Sequence, residues 1–486
     1  MIPLTLDELI AATGGEISGP TDAAGPYRAV FTDTRQPADG GVFVALVGER
    51  FNGHDFIPSA VDAGAALIIA NAKAMVEPLE VPVLRVEDTG AALLSIGRAV
   101  RRRHPGTFVA VTGSVGKTTV KDMTKAALSA IGKVGATVGN FNNAIGVPLS
   151  LFALDGDEKF VVVELGMNAP GEIFELTTVV EPHVGVVTSA VEAHLEFFDS
   201  VDGIADAKAE LFDAMPRYGV AVANADDTRV VSRAVLQAPG RLVTYARHQP
   251  SDVTAKNIVL TGGGLQYDLV INTSAGEMEL SGLRLRGLGA HNASNAAAAI
   301  AVVAAMRIET DGDIPAEAAA ALALGRKWRP GKHRLSLMEG YQGVYILDDC
   351  YNANPTSTRA AIDTLATVAT NSPARCAVLG SMLELGSSAS DLHRQIGAYA
   401  VTRASCQDVY ATGPFAKDLV AGARSAGARH TIVADDAAEL CEAVREFAAP
   451  ERWILIKGSR GQRLERLLDA LEAEPIASTT DDAGGA

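Results

Sequence analysis

The stretch Phe108–Thr119, FVAVTGSVGKTT, predicts a strand, a glycine loop and the start of a helix. Phe108–Val111 is apolar and partly β-branched, which is typical of a short buried strand. The loop after it has little side-chain bulk, and Lys-Thr-Thr then opens a helix that we expect to end near Ile131. This arrangement presents backbone N–H groups, a helix N-terminus and a lysine charge to an anion such as a nucleotide phosphate. The expected phosphate-binding residues are Gly113, Ser114, Val115, Gly116, Lys117, Thr118 and Thr119.

The loop departs from the common phosphate-binding pattern G-x-x-x-x-G-K, because Val111 stands at the position of the first glycine. An ordinary glycine-rich turn between a strand and a helix is the alternative interpretation. Gly-Lys-Thr directly at a helix start favours phosphate binding, and the Thr118 hydroxyl then lies where it can reach Mg²⁺. The shortened pattern T-G-x-x-G-K-T-T resembles the ATP-binding loop of the Mur ligase superfamily, which also includes folylpolyglutamate synthase.

The composition is typical of a large cytoplasmic protein. A length of 486 residues suggests about three domains, and 48% hydrophobic residues supply enough apolar material for their cores. The net charge of −16 argues against binding to a nucleic-acid backbone. We expect no signal peptide and no membrane span, because the N-terminus lacks a basic segment and a long apolar run. The cysteines are too widely spaced for a metal-binding pair and are expected to be reduced thiols, at Cys350, Cys376, Cys406 and Cys441.

Alternating strands and helices predict an α/β protein of three domains. Residues 1–107 are expected to form a small α/β domain, and residues 108–325 a central domain whose mostly parallel sheet is joined by crossover helices. Within the central domain, residues 251–287 have the alternation of a hairpin-like insert. Residues 326–475 predict a Rossmann-like domain without G-x-G-x-x-G, so dinucleotide binding there has no support. Residues 476–486 predict a disordered tail.

Three residues of the central domain besides Thr118 are candidate metal ligands. The apolar strand Phe160–Glu164 ends in a carboxylate, and ligands of such sheets bind at the carboxyl ends of the strands, so Glu164 is a candidate for Mg²⁺. A solvated carboxylate is the alternative. The phrases E-L-G-M-N and A-H-L-E-x-F resemble the family's metal-binding motifs, which implies two Mg²⁺ ions and a role for His194, with a structural histidine as the alternative. Lys208, in A-K-x-E-[IL]-F, matches a lysine that is carbamylated by CO₂, with a surface lysine as the alternative.

Asparagines form two further groups. Asn140 and Asn143 lie in T-x-G-N-x-N-N-x-x-G-x-P, and asparagine-rich glycine loops are usually turns. The resemblance places this loop beside the acyl substrate. Asn292 and Asn295 lie three residues apart on the first turn of a predicted helix, where an N-cap and a buried helix would also explain them. The pattern H-N-x-x-N resembles the family's contact with adenine.

The N-terminal domain carries a further part of the resemblance. Its pattern D-[ST]-R … F-V-A-L-x-G-x-x-x-D-G-H implies that Thr34, Arg35 and His54 hold the UDP end of a substrate. Asn52 departs from the usual aspartate, and a solvated surface charge is the alternative for Arg35. The basic run at residues 98–104 is expected to be a solvated helix end without a role.

The third domain contains the most discriminating phrase, D-D-x-Y-N-A-N-P-x-S, at residues 348–357. It resembles the branch of the family that adds D-alanyl-D-alanine to UDP-N-acetylmuramoyl-tripeptide. The resemblance implies that Arg334 reaches the γ-phosphate, although Lys332 and His333 are extra residues relative to the family's P-G-R-[LM], and that Asp349 reaches the ribose. The implied substrate-binding residues of this domain are Tyr351, Asn352, Asn354, Lys457 and Ser459.

The resemblance implies an ATP-dependent ligase that forms an acyl phosphate and yields the UDP-N-acetylmuramoyl-pentapeptide precursor of peptidoglycan, ADP and phosphate. Its partners would be UDP-N-acetylmuramoyl-tripeptide, D-alanyl-D-alanine and ATP, and we expect a monomer. One alternative is the sister ligase that adds the third amino acid, but the D-N-P-R typical of its diaminopimelate-selecting form does not occur in this sequence. A folylpolyglutamate synthase would lack the UDP-type N-terminal domain. A P-loop regulator without ligase activity would leave the third domain unexplained.

Overall fold

The computed structural model describes residues 1–20, 25–48, 50–192, 195–261, 264–273, 276–307 and 315–476. Within these ranges the chain folds into three β-sheets flanked by helices, and the predicted α/β class is confirmed. A helix with the length and apolarity needed to cross a bilayer is not found in this part of the chain. The predicted disordered tail lies, apart from Ile476, outside the described residues.

The N-terminal sheet has five strands among the described residues. Its helices are α1 (Leu6–Thr13), α2 (Ile57–Asp62) and α3 (Thr89–Arg103), and its strands are β1 (Glu16–Ser18), β2 (Val30–Phe31), β3 (Val42–Val44), β4 (Leu67–Asn71) and β5 (Val83–Val86). The strand order is β1-β5-β4-β3-β2, with β1 antiparallel and the others parallel. Apolar residues fill the core on both faces of this sheet.

The central sheet is mostly parallel and ends in an antiparallel extension. Its helices are α4 (Lys117–Leu128), α5 (Gly146–Phe152), α6 (Glu172–Val180), α7 (Val201–Ala214), α8 (Thr228–Gln237), α9 (His291–Met306) and α10 (Ala316–Lys327). Its strands are β6 (Thr107–Thr112), β7 (Val134–Ala136), β8 (Phe160–Glu164), β9 (Val184–Val187), β10 (Val220–Asn224), β11 (Leu242–Ala246), β12 (Val253–Thr261), β13 (Gly264–Thr273) and β14 (Gly276–Leu285). The order is β14-β13-β12-β11-β10-β9-β6-β8-β7, and β12 to β14 are the predicted hairpin-like insert.

Helix α4 ends at Leu128, and the expected extension to Ile131 is wrong. The next residues form tighter turns: the N–H of Ala130 donates to the carbonyl of Ala127, and that of Ile131 to the carbonyl of Leu128. The hydroxyl of Ser129 also donates to a carbonyl of the last turn, that of Ala126, at 2.7 Å. Such bonds satisfy carbonyls that have no partner within the helix itself.

The C-terminal sheet is parallel except at one edge. Its helices are α11 (Pro355–Val368), α12 (Ala389–Ala404), α13 (Ala416–Ser425), α14 (Cys441–Phe447) and α15 (Glu465–Ala470). Its strands are β15 (Ser336–Gly340), β16 (Val344–Asp349), β17 (Arg375–Gly380), β18 (Asp408–Thr412), β19 (His430–Ala434), β20 (Trp453–Lys457) and β21 (Glu474–Pro475). The order is β19-β18-β17-β20-β16-β15-β21, with β15 antiparallel to both of its neighbours.

The basic run at the end of α3 is solvated only in part, which corrects the expectation from its charge: Arg102 and Arg103 are exposed, but two other basic residues of the run are buried. Arg101 is buried and donates to the carbonyls of Val180 and Glu181 at 2.6 and 2.8 Å. These carbonyls belong to the C-terminal end of α6, where a helix leaves acceptors unsatisfied and where positive charge is favourable. His104 is also buried and bonds Glu158 at 3.0 Å. The run therefore anchors α3 to the central sheet.

Candidate active site

The parallel strands of the central sheet bring the phosphate loop and Glu164 to one edge. Strand β6 leads into the loop, and its Val111 pairs in register with Glu164 at the end of β8. Gly113 has φ +143°, and a Cβ there would lie 1.9 Å from Oγ1 of Thr188, so the position requires glycine. Gly116 has φ +84° and directly precedes α4. The predicted strand, loop and helix are therefore present where the sequence places them.

The loop is held by the segment that follows β9, which the sequence did not reveal. The N–H of Val115 donates to Oγ of Ser189 at 3.1 Å, and Oγ1 of Thr188 donates to the Val115 carbonyl at 2.6 Å. Ser114 joins the same segment, because its hydroxyl donates to the carbonyl of Val191 and accepts from the N–H of that residue, both at 3.1 Å. These bonds fix the loop conformation before any anion binds. The sequence signal for this segment was its position directly after the carboxyl end of a strand, where ligands of such sheets bind.

Lys117 opens α4, and its ammonium lies against the loop. Its Nζ donates to the carbonyl of Gly113 at 2.6 Å and reaches the carbonyl of Ser114 at 3.4 Å. Burial lowers the pKa of Lys117, while the nearby charge of Glu164 acts in the opposite direction. The positive charge of this lysine is thus located at the mouth of the loop.

Glu164 is buried at 2% exposure and is only half satisfied. Its Oε1 accepts a hydrogen bond from Nδ2 of Asn142 at 2.8 Å, whereas its Oε2 is buried and has no hydrogen-bond partner among the described residues. A buried carboxylate oxygen without a partner is costly unless a cation or donor satisfies it. The donor set therefore fits a hard cation such as Mg²⁺. The sequence assigned the asparagines on either side of Asn142 within the same motif and missed this one.

Lys208 lies on α7 and is buried at 2% exposure. No hydrogen bond or ion pair to it is found in the described part of the chain. Burial, together with the charge of Lys117, holds the pKa of Lys208 well below its usual range. Because Lys208 is buried, the alternative of a surface lysine is wrong. Burial also makes a charged ammonium unfavourable at this position. His194, the other predicted ligand, lies outside the described residues.

Asn292 and Asn295 lie on the first turn of α9, beside the phosphate loop. Nδ2 of Asn292 donates to the carbonyl of Leu288 at 2.6 Å, and Nδ2 of Asn295 donates to Oδ1 of Asn292 at 3.0 Å. A Cβ on Gly116 would lie 3.0 Å from Oδ1 of Asn295. The pair is thus adjacent to the loop, and its contact with adenine stays a prediction.

The third sheet contributes an arginine to the same place. Nη2 of Arg334 donates to Oγ1 of Thr118 at 3.1 Å, and its guanidinium stacks over the ring of Tyr351 at 4.1 Å. Asp349 ends β16, accepts from the N–H of Leu335 at 3.0 Å and pairs with Lys457 at 2.8 Å. Side chains from two sheets therefore meet at the phosphate loop.

Other predicted residues of the third domain have structural contacts. Nζ of Lys457 also donates to the carbonyl of Asn352 at 2.6 Å, which fixes the segment after β16. Asn354 caps α11 by accepting from the N–H of Ser357 at 2.8 Å. The hydroxyl of Ser459 is buried and has no hydrogen-bond partner among the described residues, and its contact with a substrate stays a prediction.

A pocket of about 840 Å³ lies between the N-terminal sheet and the loop before α5. It is lined by Thr32, Asp33, Thr34, Arg35, Phe43, Leu46, Gly48, Arg50, Phe51, Gly53, Phe56 and Ile145. Arg35 is held by Asp33 through contacts of 2.7 to 3.2 Å. His54 is not among the lining residues, because its ring bonds Asn52 at 2.8 Å and the N–H of Asn71 at 2.9 Å.

The two predicted asparagines of the 137–150 loop are exposed. Oδ1 of Asn143 accepts from the N–H of Gly146 at 2.8 Å and so helps to begin α5. The carbonyl of Asn140 accepts from the N–H of Asn142 at 2.8 Å, which leaves the Asn140 side chain on the surface of the loop. Ile145 of this loop lines the pocket. Contact of both asparagines with an acyl substrate stays a prediction.

Comparison with known proteins gives consistent matches along the chain. Three family models match: "Mur ligase family, catalytic domain" at residues 26–107, "Mur ligase middle domain" at 111–303 and "Mur ligase, glutamate ligase domain" at 333–460. UDP-N-acetylmuramoyl-tripeptide--D-alanyl-D-alanine ligase of Escherichia coli (strain K12) is 35% identical over 97% of this chain and 99% of that protein. A crystal structure of MurF from Acinetobacter baumannii has a TM-score of 0.85 at 29% identity, covering 97% and 99% of the two chains. MurF from Thermotoga maritima in complex with ADP has a TM-score of 0.78 at 26% identity, covering 92% and 97%.

Proposed function

The chain belongs to the Mur ligase family, and we propose that it joins D-alanyl-D-alanine to UDP-N-acetylmuramoyl-tripeptide with hydrolysis of ATP to ADP and phosphate. The contact between Arg334 and Thr118 carries this proposal on the structural side, because it brings the third domain onto the phosphate loop. The identity of the substrates rests on similarity over nearly full length to ligases of that name.

The reaction requires a carboxylate to become electrophilic. A carboxylate resists attack by an amine, because the leaving group would be an oxide. Its oxygen would first attack the γ-phosphorus of ATP, which releases ADP and leaves an acyl phosphate. The neutral amine of D-alanyl-D-alanine would then attack the acyl carbon, its nitrogen would lose a proton, and phosphate would leave from the tetrahedral intermediate. The first step brings two anions together and the second develops negative charge on that intermediate, so fixed positive charge at the phosphates lowers the barrier.

The chain's own residues supply that charge and hold the nucleotide. Lys117 and the N–H groups of the loop would bind the β- and γ-phosphates, and Arg334 would contact the γ-phosphate from the third domain. Asn292 and Asn295 would bind adenine, and Asp349 the ribose. Since groups from two domains grip one nucleotide, domain closure would precede reaction.

The proposed metal sites start from Glu164, whose surroundings fit a hard cation. We assign one Mg²⁺ to Thr118 and Glu164 and a second to His194 and carbamylated Lys208. When bound, Mg²⁺ neutralises phosphate charge and polarises the transferred phosphoryl group. The unpartnered Oε2 of Glu164 supports the first assignment. The burial of Lys208, which forms no ion pair with any described residue, supports the second, because a carbamate would replace an unfavourable ammonium by an anion able to bind metal.

Substrate contacts complete the proposal. Thr34 and Arg35 line the N-terminal pocket and would bind the UDP end; His54 remains a weaker candidate. Residues of two other segments would contact the acyl peptide and the incoming dipeptide, namely Asn140, Asn143, Tyr351, Asn352, Asn354, Lys457 and Ser459. We further propose that the chain acts as a monomer in the cytoplasm.

The proposal is tested by measuring phosphate release from ATP with defined substrates. Release is expected only when UDP-N-acetylmuramoyl-tripeptide and D-alanyl-D-alanine are both present. The sister-ligase alternative predicts release with UDP-N-acetylmuramoyl-dipeptide and a single amino acid instead. Hydrolysis that depends on neither substrate would favour a P-loop regulator and contradict ligase function.

The N-terminal pocket gives a separate prediction. Phe51 lines the pocket and is 73% exposed, so its ring is available to stack on a base. Phe51→Ala is expected to raise KM for the UDP-substrate by about tenfold, since stacking on a base is worth about 1–3 kcal/mol, and to leave KM for ATP unchanged. Initial-rate kinetics with each substrate varied in turn measure both constants.

Leu236→Ala is the matched control for Phe51→Ala. Leu236 is 83% exposed on α8 and does not line the pocket, so removing its side chain should change neither KM. A rise in KM for ATP alone in Phe51→Ala would show that the pocket does not hold the UDP end.

A further inference from the structure

One buried cluster, which the proposed function does not use, consists of His333, Asp348 and Cys350. Nδ1 of His333 lies 2.7 Å from Oδ2 of Asp348. The other oxygen, Oδ1, accepts from the N–H of Cys350 at 3.3 Å and from its thiol at 3.1 Å. These three residues also have the grouping of a metal site. Because both oxygens of Asp348 are already satisfied by hydrogen bonds, the cluster is explained as a fixed polar network.

The network fixes the backbone on either side of Arg334. His333 and Leu335 have φ values of +60° and +52°, in the left-handed region that residues other than glycine rarely adopt. Such a conformation persists only where the surrounding contacts impose it. Here the His333 carbonyl accepts from the N–H of Tyr351 at 3.1 Å, and the N–H of Leu335 donates to Asp349 at 3.0 Å.

This backbone conformation sets the direction of the Arg334 side chain. With both neighbours in the left-handed region, the Arg334 side chain stacks over Tyr351 and reaches Oγ1 of Thr118 across the boundary between two sheets. Loss of the bond between His333 and Asp348 would leave a buried carboxylate oxygen without its donor and would free the strained segment to relax. The Arg334 guanidinium would then be displaced from the phosphate loop.

We propose that His333, through its hydrogen bond to Asp348, is a positioning residue that holds Arg334 against the nucleotide-binding loop. The inference rests on the proposed role of Arg334 at the γ-phosphate.

A double-mutant cycle tests the coupling. We compare kcat/KM for ATP in the wild type, His333→Ala, Arg334→Ala and the double variant. His333→Ala is expected to lower this constant by about 10- to 100-fold in the wild-type background, with KM for the UDP-substrate unchanged. In the Arg334→Ala background the same change is expected to have less than about a twofold effect. Equal losses in both backgrounds would mean that His333 does not act through Arg334.

Two further variants separate positioning from a loss of folding. His333→Asn keeps a side-chain donor and tolerates a left-handed backbone, so it is expected to restore most of the lost kcat/KM. Cys350→Ala removes only the thiol bond to Asp348, whose Oδ1 still accepts from the backbone N–H at this position, so KM for ATP should stay close to the wild-type value. Failure of His333→Asn to recover activity while it unfolds at the wild-type temperature would overturn the proposal.

Binding of a non-hydrolysable ATP analogue that retains the γ-phosphate, measured by calorimetry for the same variants, distinguishes this inference from the proposed function. Coupled losses of analogue affinity at His333 and Arg334 without any ligation would refute the activity and keep the positioning role. Ligation that depends on Arg334 but not on His333 would refute the positioning role alone. Analogue affinity and turnover that are indifferent to Arg334 would refute both.

Discussion

Lys117→Ala is expected to lower kcat of the ligation by at least about 10³-fold, because it removes the buried positive charge at the mouth of the phosphate loop. Nζ of Lys117 lies 2.6 Å from the Gly113 carbonyl, so the ammonium already sits where the β- and γ-phosphates would bind. Its charge would be most valuable as negative charge builds up between the attacking carboxylate and the γ-phosphate. Steady-state phosphate release at saturating ATP measures the change.

Lys125→Ala is the matched control for this experiment. Lys125 lies on the same helix, two turns further along, and its side chain is exposed. Removal of this lysine should leave kcat within about twofold of the wild type, since exposed charges contribute little. Thermal unfolding of both variants checks that α4 remains folded. Near-normal kcat in Lys117→Ala would exclude the loop from the mechanism.

The order of strands and helices could be read from the sequence because the pattern is local. A valine-rich strand, a glycine loop and Lys-Thr at a helix start are adjacent in the chain, and their geometry follows from the glycine backbone at Gly113 and Gly116. The position of Glu164 at the same edge as the loop was also predictable, since the carboxyl ends of parallel strands meet there. The exact end of a helix, such as that of α4 at Leu128, depends on individual hydrogen bonds in the turns that follow it. The sequence predicted this end wrongly.

What the sequence could not show is which distant side chains pair. Arg101 carries the charge of a surface residue, yet the end of α6 buries it. Asn142 satisfies Glu164 across 22 positions, and nothing distinguished it from the asparagines beside it. The role of His333 depends on its contact with Asp348, which it makes from the segment before β15. Each of these contacts is set by tertiary packing.

Lys208→Ala is expected to lower kcat by at least about 10³-fold, because the buried lysine would act as a carbamate in the metal site. Carbamylation requires a neutral amine, whose lone pair forms a bond to the carbon of CO₂ with release of one proton. The depressed pKa of Lys208, caused by burial and the charge of Lys117, raises the fraction of that neutral form. Wild-type activity should therefore fall in CO₂-depleted buffer and return with bicarbonate, whereas Lys208→Ala should not respond to bicarbonate.

A small carboxylate should replace the missing carbamate. Acetate or formate is expected to restore part of the activity of Lys208→Ala, because the truncation leaves space for it, and to leave Lys117→Ala unchanged. Equal rescue of both variants would argue against a carbamate. So would the absence of rescue in Lys208→Ala, if wild-type activity also did not depend on CO₂.

The same depressed pKa determines how Lys208 affects stability. Between the folded pKa and the unfolded value of about 10.4, the unfolded chain binds more protons at this site than the folded chain. The cost of burying the lysine is therefore largest at low pH and is lost as pH rises toward the unfolded value. In CO₂-depleted buffer, Lys208→Met should unfold at a temperature at or above that of the wild type near pH 7, with the difference shrinking toward pH 10. Lys208→Met would then be inactive and yet stable, which separates the chemical role of this lysine from any structural one. If the variant is less stable than the wild type at every pH, the lysine instead stabilises the fold.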